Sequence, residues 1–180
     1  ADSRGVLFGA GWLLRNLQMT KRTLQLDAPA DMTSSPAYPI RGHQLGYRNT
    51  ANSYDAWTPA QFEQYIRDLA IFGTNAIEGI PFHEDDNPSP HFTISAAAMR
   101  VKISEICQAY DMDYWVWTPA TFDLTDKAKR QAELDMHEAF YKACPRLDHI
   151  FFPGGDPGDN HPAEVMPFLK DLHDRLVKYH

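Results

Sequence analysis

The stretch TPAQFEQYIRDLAIFGTNAIEGI, residues 58–80, decides the fold class of this chain. Thr58 followed by Pro59, with a Gln three residues after the Thr, is a helix start, because Thr caps free backbone N–H groups and Pro fits the first turn. Gly73 is the expected stop, since glycine readily takes the left-handed conformation that ends many helices. The apolar segment 75–80 then predicts a short buried strand.

The same alternation extends along the chain on both sides of this stretch. Strands are predicted at 38–45, 75–80, 114–117 and 149–152, and helices at 58–72, 95–110, 126–143 and 162–179. Strands that alternate with helices form right-handed crossovers and a parallel sheet, which is either doubly wound or closed into an eightfold barrel. A complete barrel takes about 250 residues, so residues 36–180 would supply the first four strand–helix units of a (β/α)8 barrel.

The first 35 residues follow a different rhythm. Residues 4–18 predict a helix with one apolar face and Ser3 as its cap, and residues 23–26 predict a short strand. The Pro-, Ser- and Asp-containing stretch 28–39 is typical of a linker. We therefore expect a domain boundary near residue 35. The chain starts at Ala1 without an initiator Met, which favours a processed chain or a segment of a longer one.

Composition excludes several classes of protein. The 180 residues are 43% hydrophobic and 23% charged, near the averages of soluble globular domains, which argues against disordered, collagen-like and coiled-coil chains. No apolar run approaches the roughly 20 residues that span a bilayer. A net charge of −7 without a basic stripe argues against nucleic-acid binding. Two cysteines, Cys107 and Cys144, fit either buried thiols or a disulfide.

Residues that follow the predicted strands indicate the chemistry, because parallel α/β folds collect their functional groups at the carboxyl ends of the strands. The candidates there are carboxylates, an amide, an imidazole and indoles: Gln44, Glu78, His83, Trp115, Trp117, Asp156 and Asp159. Neither a glycine-rich phosphate-binding motif nor the G-x-S-x-G of nucleophile-elbow hydrolases occurs. Carboxylates can serve as acid, base or electrostatic stabiliser at an oxocarbenium-like centre, and aromatic faces stack on sugar rings, so the set favours carbohydrate chemistry.

Each candidate also has a plain structural interpretation. The Gly-Gly-Asp that ends in Asp156 suits a tight turn. Trp115 and Trp117 lie on the same face of their strand and fit core packing as well as sugar stacking. His83 and the three acids after it fit a metal site or a solvated loop, and no metal and no cofactor is assigned. Arg41 falls in a strand expected to be buried, where a guanidinium needs a carboxylate or a substrate as partner.

Two segments carry a family resemblance. Residues 38–45 (YPIRGHQL) resemble the start of the catalytic barrel of family 20 glycoside hydrolases, the β-N-acetylhexosaminidases, in which an Arg-Gly pair opens strand one and the Arg binds the terminal sugar; here it would be Arg41. Residues 152–157 (FPGGDP) resemble the His-x-Gly-Gly-Asp-Glu that ends strand four in that family. There the Asp orients the substrate's acetamido nucleophile and the Glu is the general acid, so the resemblance makes Asp156 the orienting group and leaves Pro157 in the acid's place.

The resemblance also covers the N-terminal part. Residues 1–35 look like the C-terminal end of the small α/β domain that precedes such barrels, and similar small domains precede the barrels of α-glucuronidases. The implied protein is a glycosidase, hexosaminidase-like with an altered general acid, for which Asp159 and Glu78 are candidates. The sugar-binding residues would be Arg41, Gln44, His83, Trp115 and Trp117. The family favours a secreted or periplasmic protein.

Other readings of the chain stay open. Pro157 in the acid's place fits a carbohydrate-binding module that does not cleave, and an α-glucuronidase-like hydrolase is a second alternative. A metal-dependent hydrolase that uses His83 and its neighbours is a third. A half barrel would also leave two open strand edges, so we expect the remainder of the barrel or a second chain as a partner, besides a carbohydrate substrate.

Overall fold

The computed structural model describes residues 2–27, 29, 31–45, 52–82, 89–153 and 159–180. Within them the chain forms five α-helices, six strands and one 3₁₀ turn at Tyr54–Ala56. In chain order these are α1 (Ser3–Asn16), β1 (Leu17–Met19), β2 (Leu24–Leu26), β3 (Gly42–Gln44), α2 (Pro59–Ile71), β4 (Ala76–Glu78), α3 (Ala96–Ala109), β5 (Asp113–Trp117), α4 (Lys127–Ala143), β6 (His149–Phe151) and α5 (Pro162–Leu176). The alternation of strands and helices predicted after residue 36 is confirmed.

Four strands form one parallel sheet in the order β3-β4-β5-β6. The order follows the chain without a reversal, so right-handed crossovers keep the connecting helices on one face of the sheet. Helices neighbouring in sequence also pack together, α2 on α3 and α4 on α5. The result is a mixed α/β fold of the partial-barrel type.

The helix start and stop signals around α2 act as predicted. The backbone N–H of Gln61 donates to Thr58 Oγ1 (3.3 Å), and the backbone N–H of Thr58 donates to Gln61 Oε1 (2.9 Å), which completes a capping box. Gly73 has a φ of +91° just after the helix, a conformation that few residues other than glycine adopt. The chain thereby turns from α2 directly into β4.

The N-terminal prediction was wrong in two details. Asp2, not Ser3, caps α1, because its Oδ1 accepts the N–H of Gly5 at 2.7 Å. Residues 17–18 do not continue the helix; the segment Leu17–Met19 is strand β1, which pairs antiparallel with β2 and so satisfies its backbone groups through a hairpin. The apolar spacing of a helix does not distinguish its last turn from a short strand.

The predicted strand 38–45 is also shorter than expected. It consists of Gly42–Gln44 alone, and Arg41 lies just before it. The guanidinium of Arg41 donates hydrogen bonds to the carbonyl oxygens of Tyr38 (2.9 Å) and Pro39 (3.3 Å), so these carbonyls do not pair with a neighbouring strand.

The main core lies between the sheet and its helices. Ile77, Tyr114 and Val116 point from the strands into this layer and are almost fully buried. Cys107 and Cys144 lie in the same core as free thiols, so the disulfide alternative is wrong. Burial raises the pKa of the Cys144 thiol to about 12, which leaves it protonated and unreactive at neutral pH.

Helix α1 packs on α2 through a close backbone approach. A Cβ on Gly11 would lie 2.6 Å from the carbonyl oxygen of Ile71, so only glycine fits there. Arg4 adds an ion pair to Asp113 at 2.8 Å. Among the described residues, no helix combines the length and the apolar character needed to cross a membrane.

Candidate functional site

A row of side chains crosses the sheet at the end of β4. Gln44, Glu78, Trp115 and His149 are register partners on the four parallel strands. Register partners in a parallel sheet have their side chains on the same face. The residues next to them along β4 and β5, such as Ile77, Tyr114 and Val116, point to the opposite face, into the core below the helices. The row therefore lies on the sheet face that its own helices leave uncovered, which we call the open face.

Glu78 is the carboxylic acid of this row. Its side chain is half-buried, and its Oε1 accepts a hydrogen bond from Nε2 of Gln44 at 3.1 Å. Burial raises the pKa of Glu78, because a low-dielectric surrounding penalises the charged form, and the Gln44 hydrogen bond partly opposes that rise. Glu78 thus keeps its proton to a higher pH than a solvated glutamic acid, as a proton donor requires.

Aromatic rings continue the row beyond Glu78. The rings of Trp115 and His149 meet edge to face, with centroids 4.7 Å apart. Trp117 is the register partner of Phe151, whose side chain is 44% exposed. Trp115 Nε1 is buried and has no hydrogen-bond partner anywhere in the part of the chain that the structure describes. The open face thus combines one carboxylic acid and one amide with indole, imidazole and phenyl rings.

Asp159 lies in a different place from Glu78. It lines a cavity of about 480 Å³ at the carboxyl ends of β5 and β6, together with Thr121, Phe122, Asp123 and Asn160. Asn160 shapes this cavity, since its Oδ1 accepts the N–H of Leu124 (2.9 Å) and its Nδ2 donates to the carbonyl of Phe122 (2.9 Å). Glu78 is not among the lining residues, so Asp159 and Glu78 do not share one cavity.

Asp123 is a lining residue that the sequence analysis did not single out. Hydrogen bonds from the side chain and the backbone of Thr125 hold the pKa of its carboxyl below the usual value. The signal that would have found it is its position in the loop after β5, where an acid follows the strand by only a few residues.

Arg41 lies at the opposite, amino end of the sheet. Its Nε donates to the carbonyl of Gly73 at 2.7 Å, and its guanidinium stands 5.2 Å from the ring centre of Phe8 on α1. Asn75 Oδ1 accepts the backbone N–H of Arg41 at 2.7 Å. The structure therefore does not bring Arg41 together with Gln44 and Glu78.

The remaining predicted residues, Asp156 and His83, lie outside the described residues. The segments around them, 83–88 and 154–158, follow β4 and β6 in the sequence. No group of three or more His, Cys, Asp or Glu side chains suited to a metal ion occurs among the described residues.

A buried polar pair on α4 is another feature the sequence analysis missed. His137 Nε2 lies 3.1 Å from Oε1 of Glu133, and both side chains are buried. The ring of Phe82, just after β4, stacks on His137 with centroids 4.0 Å apart. The i,i+4 spacing of an acid and a His on a predicted helix is the signal for such a pair. It anchors the start of the loop that follows Glu78.

Comparisons with known proteins concern the fold. No protein-family model and no curated protein matches this sequence. The solved structure of CpGH84B is similar, with a TM-score of 0.64 at 14% identity. The likeness covers 99% of this chain but 31% of that one, so the chain spans about a third of its structural relative. The name CpGH84B denotes a family 84 glycoside hydrolase; the likeness supports a glycoside hydrolase-like fold and does not extend to family 20.

Proposed function

We propose that this chain is the first half of the (β/α)8 catalytic barrel of a glycoside hydrolase, preceded in residues 1–35 by the end of a small α/β domain. The observation that carries the proposal is the row Gln44–Glu78–Trp115–His149 on the open face of a sheet whose fold resembles that of CpGH84B. In a barrel this face is the interior, and the carboxyl end of β4 opens toward the substrate.

Glu78 is the proton donor in this proposal. A protonated carboxyl group can protonate the glycosidic oxygen as the bond to the leaving group breaks, and the burial that raises the pKa of Glu78 favours this protonated form. Gln44 holds the carboxyl through its hydrogen bond, and the rings of Trp115 and Trp117 pack on the apolar face of a sugar. Asp156 orients an acetamido group or a water at the sugar carbon, which makes an N-acetylhexosaminide the preferred substrate. Asp159 is the competing acid.

A second candidate function is glycan binding without cleavage. The sequence carries Pro157 directly after Asp156, and proline can neither give nor take a proton. If Glu78 does not reach the glycosidic oxygen, the aromatic open face would hold a glycan that stays intact. This candidate keeps the same binding residues and differs only in the fate of the glycan.

Either function needs a cover for the sheet edges. Among the described residues, β3 and β6 each pair on one side only. Unpaired parallel edges invite further strands, so we propose that four more strands, from the same polypeptide or from a second chain, complete the barrel.

The test is turnover of aryl β-N-acetylhexosaminides and aryl glucuronides by the protein and by its Glu78→Gln variant. The introduced amide keeps the size of the Glu78 side chain and its contact with Gln44 but cannot donate a proton as an acid does. We expect release from the N-acetylhexosaminide and a loss of about 10²- to 10⁴-fold in Glu78→Gln, the usual contribution of a general acid. Glu105→Gln is the matched control, because Glu105 lies on α3 paired with Lys102 at 2.6 Å, away from the open face.

Other results would redirect the assignment. Release from the glucuronide alone would favour the α-glucuronidase-like alternative. Calorimetric binding of a chitooligosaccharide without any product over days would favour the binding module. Equal turnover in the protein and in Glu78→Gln, with a loss in Asp159→Asn, would move the acid to Asp159.

A further inference from the structure

A second groove opens at the amino end of the sheet, far from the row on the open face. It has a volume of about 750 Å³ and lies between α1, the linker that precedes β3, and the turn after α2. One face of α1 lines it through Phe8, Gly9, Trp12 and Arg15. We call it the amino-end groove.

The amino-end groove is positively charged in a negatively charged protein. Arg15 and Arg41 line it, and the residues that line it include no carboxylate, although the chain has a net charge of −7. The neighbouring cavity at the start of β6 shows the contrast, because Asp113 and Asp148 accompany its arginine. The two unopposed guanidinium groups make this groove complementary to an anion.

Both arginines are held in place and still have N–H groups to give. Arg15 donates one Nη1–H to the carbonyl of Ile71, and Arg41 donates its Nε–H to the carbonyl of Gly73 and an Nη1–H to the carbonyl of Tyr38. The Nη2 of each makes no hydrogen bond within the described part of the chain. Each guanidinium also stands against a ring, Arg15 against Phe72 (5.6 Å) and Arg41 against Phe8 (5.2 Å). Arginines oriented in this way suit carboxylate and sulfate oxygens.

The other wall supplies hydroxyl groups. Thr33, Ser34 and Ser35 line the groove, and none of their hydroxyls has a hydrogen-bond partner in the described ranges. Free hydroxyls both donate and accept, as the hydroxyls of a sugar do. Phe72 is 74% exposed and, with Trp12, offers an aromatic surface on which a sugar ring can pack.

An extended peptide is less well served by these walls. Its amides need backbone donors and acceptors, yet the backbone of α1 is bonded within the helix and Pro36 has no N–H, so an extended peptide could pair only with the short linker stretch of residues 32–35. A sugar needs only side-chain hydroxyls, rings and, for an acidic sugar, cations, and the groove has all three.

We propose that the amino-end groove binds an acidic oligosaccharide, whose carboxylate or sulfate groups pair with Arg15 and Arg41 while a sugar ring packs on the aromatic wall. This site is distinct from the open face and does not depend on the function proposed for Glu78. It would hold an anionic glycan chain against the protein without cleaving it.

The test is titration of the protein with three hexasaccharides: sulfated chondroitin, unsulfated chondroitin and neutral maltohexaose. Calorimetry measures affinity, and the indole N–H signal of Trp12 in an NMR spectrum reports the place of binding. We expect a chondroitin probe to shift the Trp12 signal and to bind at least about tenfold more tightly than maltohexaose. Its affinity should fall as the salt concentration is raised. Binding of both chondroitins identifies the carboxylate as the recognised group, and binding of the sulfated one alone identifies the sulfate.

Two substitutions on α1 separate occupancy of the groove from effects on folding. Gly9→Leu fills the groove, because a Cβ on Gly9 meets no other atom within 4 Å and the helix tolerates the change. Ala10→Leu is the matched control, since Ala10 is exposed on α1 but does not line the groove. We expect at least about a tenfold loss of affinity in Gly9→Leu and in Arg15→Gln, and none in Ala10→Leu.

Several outcomes would overturn the proposal. Equal affinity for the neutral and the acidic probes, or no binding of either chondroitin, would show that the groove does not recognise acidic sugars. A polyglutamate peptide that binds more tightly than the chondroitins would make the ligand a peptide. A loss of affinity in Ala10→Leu as large as that in Gly9→Leu would show that the effect does not come from filling the groove. Because no cleavage is measured and the variants lie at the other end of the sheet, failure here would leave the proposed hydrolase function untouched.

Discussion

Gln44 Nε2 donates a 3.1 Å hydrogen bond to Oε1 of Glu78 across two neighbouring parallel strands. The two residues are register partners, so the backbone pairing of β3 with β4 holds their side chains together. Burial of Glu78 and the hydrogen bond from Gln44 act on the pKa of the carboxyl in opposite directions, and burial is the larger effect. The protonation state of the open face therefore depends on both residues.

Removing the donor isolates the effect of burial. In Gln44→Leu, Glu78 loses the hydrogen bond that favours its charged form, so we expect its pKa to rise above the already raised value. Carbon-13 NMR titration of the Glu78 side-chain carboxyl measures this shift. Gln131→Leu is the control, because Gln131 donates to Asp135 on the exposed side of α4. A Glu78 pKa that falls, or stays the same, in Gln44→Leu contradicts the prediction.

The raised pKa of Glu78 also predicts how stability depends on pH. The folded protein holds this proton more tightly than the unfolded chain, so Glu78 supports the fold below its unfolded pKa, and that support is lost as the pH rises through its folded pKa. The side chain introduced by Glu78→Gln cannot ionise. We therefore expect Glu78→Gln to gain stability relative to the unmodified protein as the pH rises, so that the difference in their free energies of unfolding favours the variant more at about pH 8 than at about pH 4.

Urea unfolding at the two pH values measures this difference. Glu105→Gln, on an exposed helix surface, is the control for the loss of a negative charge as such. A Glu78→Gln variant whose relative stability is independent of pH would show that the Glu78 carboxyl has the same pKa in the folded and unfolded states.

The two central glycines of α1 are expected to respond in opposite ways to alanine. In Gly11→Ala the new Cβ would lie 2.6 Å from the carbonyl oxygen and 2.8 Å from the Cα of Ile71, so α1 must move away from α2 at a cost of about 1–3 kcal/mol. In Gly9→Ala the new Cβ meets nothing within 4 Å, and alanine, the better helix former, should raise the free energy of unfolding by about 0.5–1 kcal/mol. Urea unfolding of both variants is the measurement. Equal effects of the two substitutions would rule out the close approach of the helices.

Arg146 connects three carboxylates at the amino end of the sheet. It lies 2.8 Å from Asp111, 2.7 Å from Asp113 and 2.8 Å from Asp148. In Arg146→Met, Arg4 still pairs with Asp113 (2.8 Å) and Asp111 (3.6 Å), but all three acids lose their contacts with Arg146. We expect the free energy of unfolding to fall by about 2–4 kcal/mol, less than for a fully buried pair because the cluster is partly solvent-screened. Urea unfolding in low and high salt measures the loss, which should shrink as salt screens the remaining acids.

The same cluster predicts that the stability of the protein depends on pH in the acidic range. Arg146 holds the pKa of Asp111 below its usual value. The ion pair therefore stabilises the fold above the pKa that Asp111 has in the unfolded chain, and this contribution is lost as the pH falls through the pKa that Asp111 has in the folded protein. The stability difference between the unmodified protein and Arg146→Met should therefore narrow below about pH 4. A gap that stays constant down to about pH 2 would assign the effect to packing of the Arg146 stem.

Local signals were sufficient for the order of the elements. The Thr58 cap, the Gly73 stop and the apolar segments 75–80 and 114–117 depend on contacts within a few residues, so the sequence alone predicts them. The pairing of Leu17–Met19 with β2 could not be read in this way, because a hairpin competes with the last helical turn through bonds to a later segment.

The candidate site divides along the same line. From the sequence alone it follows that Glu78, Gln44 and the two indoles of β5 end up at the ends of parallel strands, because strand periodicity is local. Only the tertiary structure decides that Gln44 meets Glu78, that Asp159 lines another cavity, and that Arg41 turns to the amino end. These relations depend on register and on the packing of α1 and the linker against the sheet, which are set by contacts between residues distant in the chain.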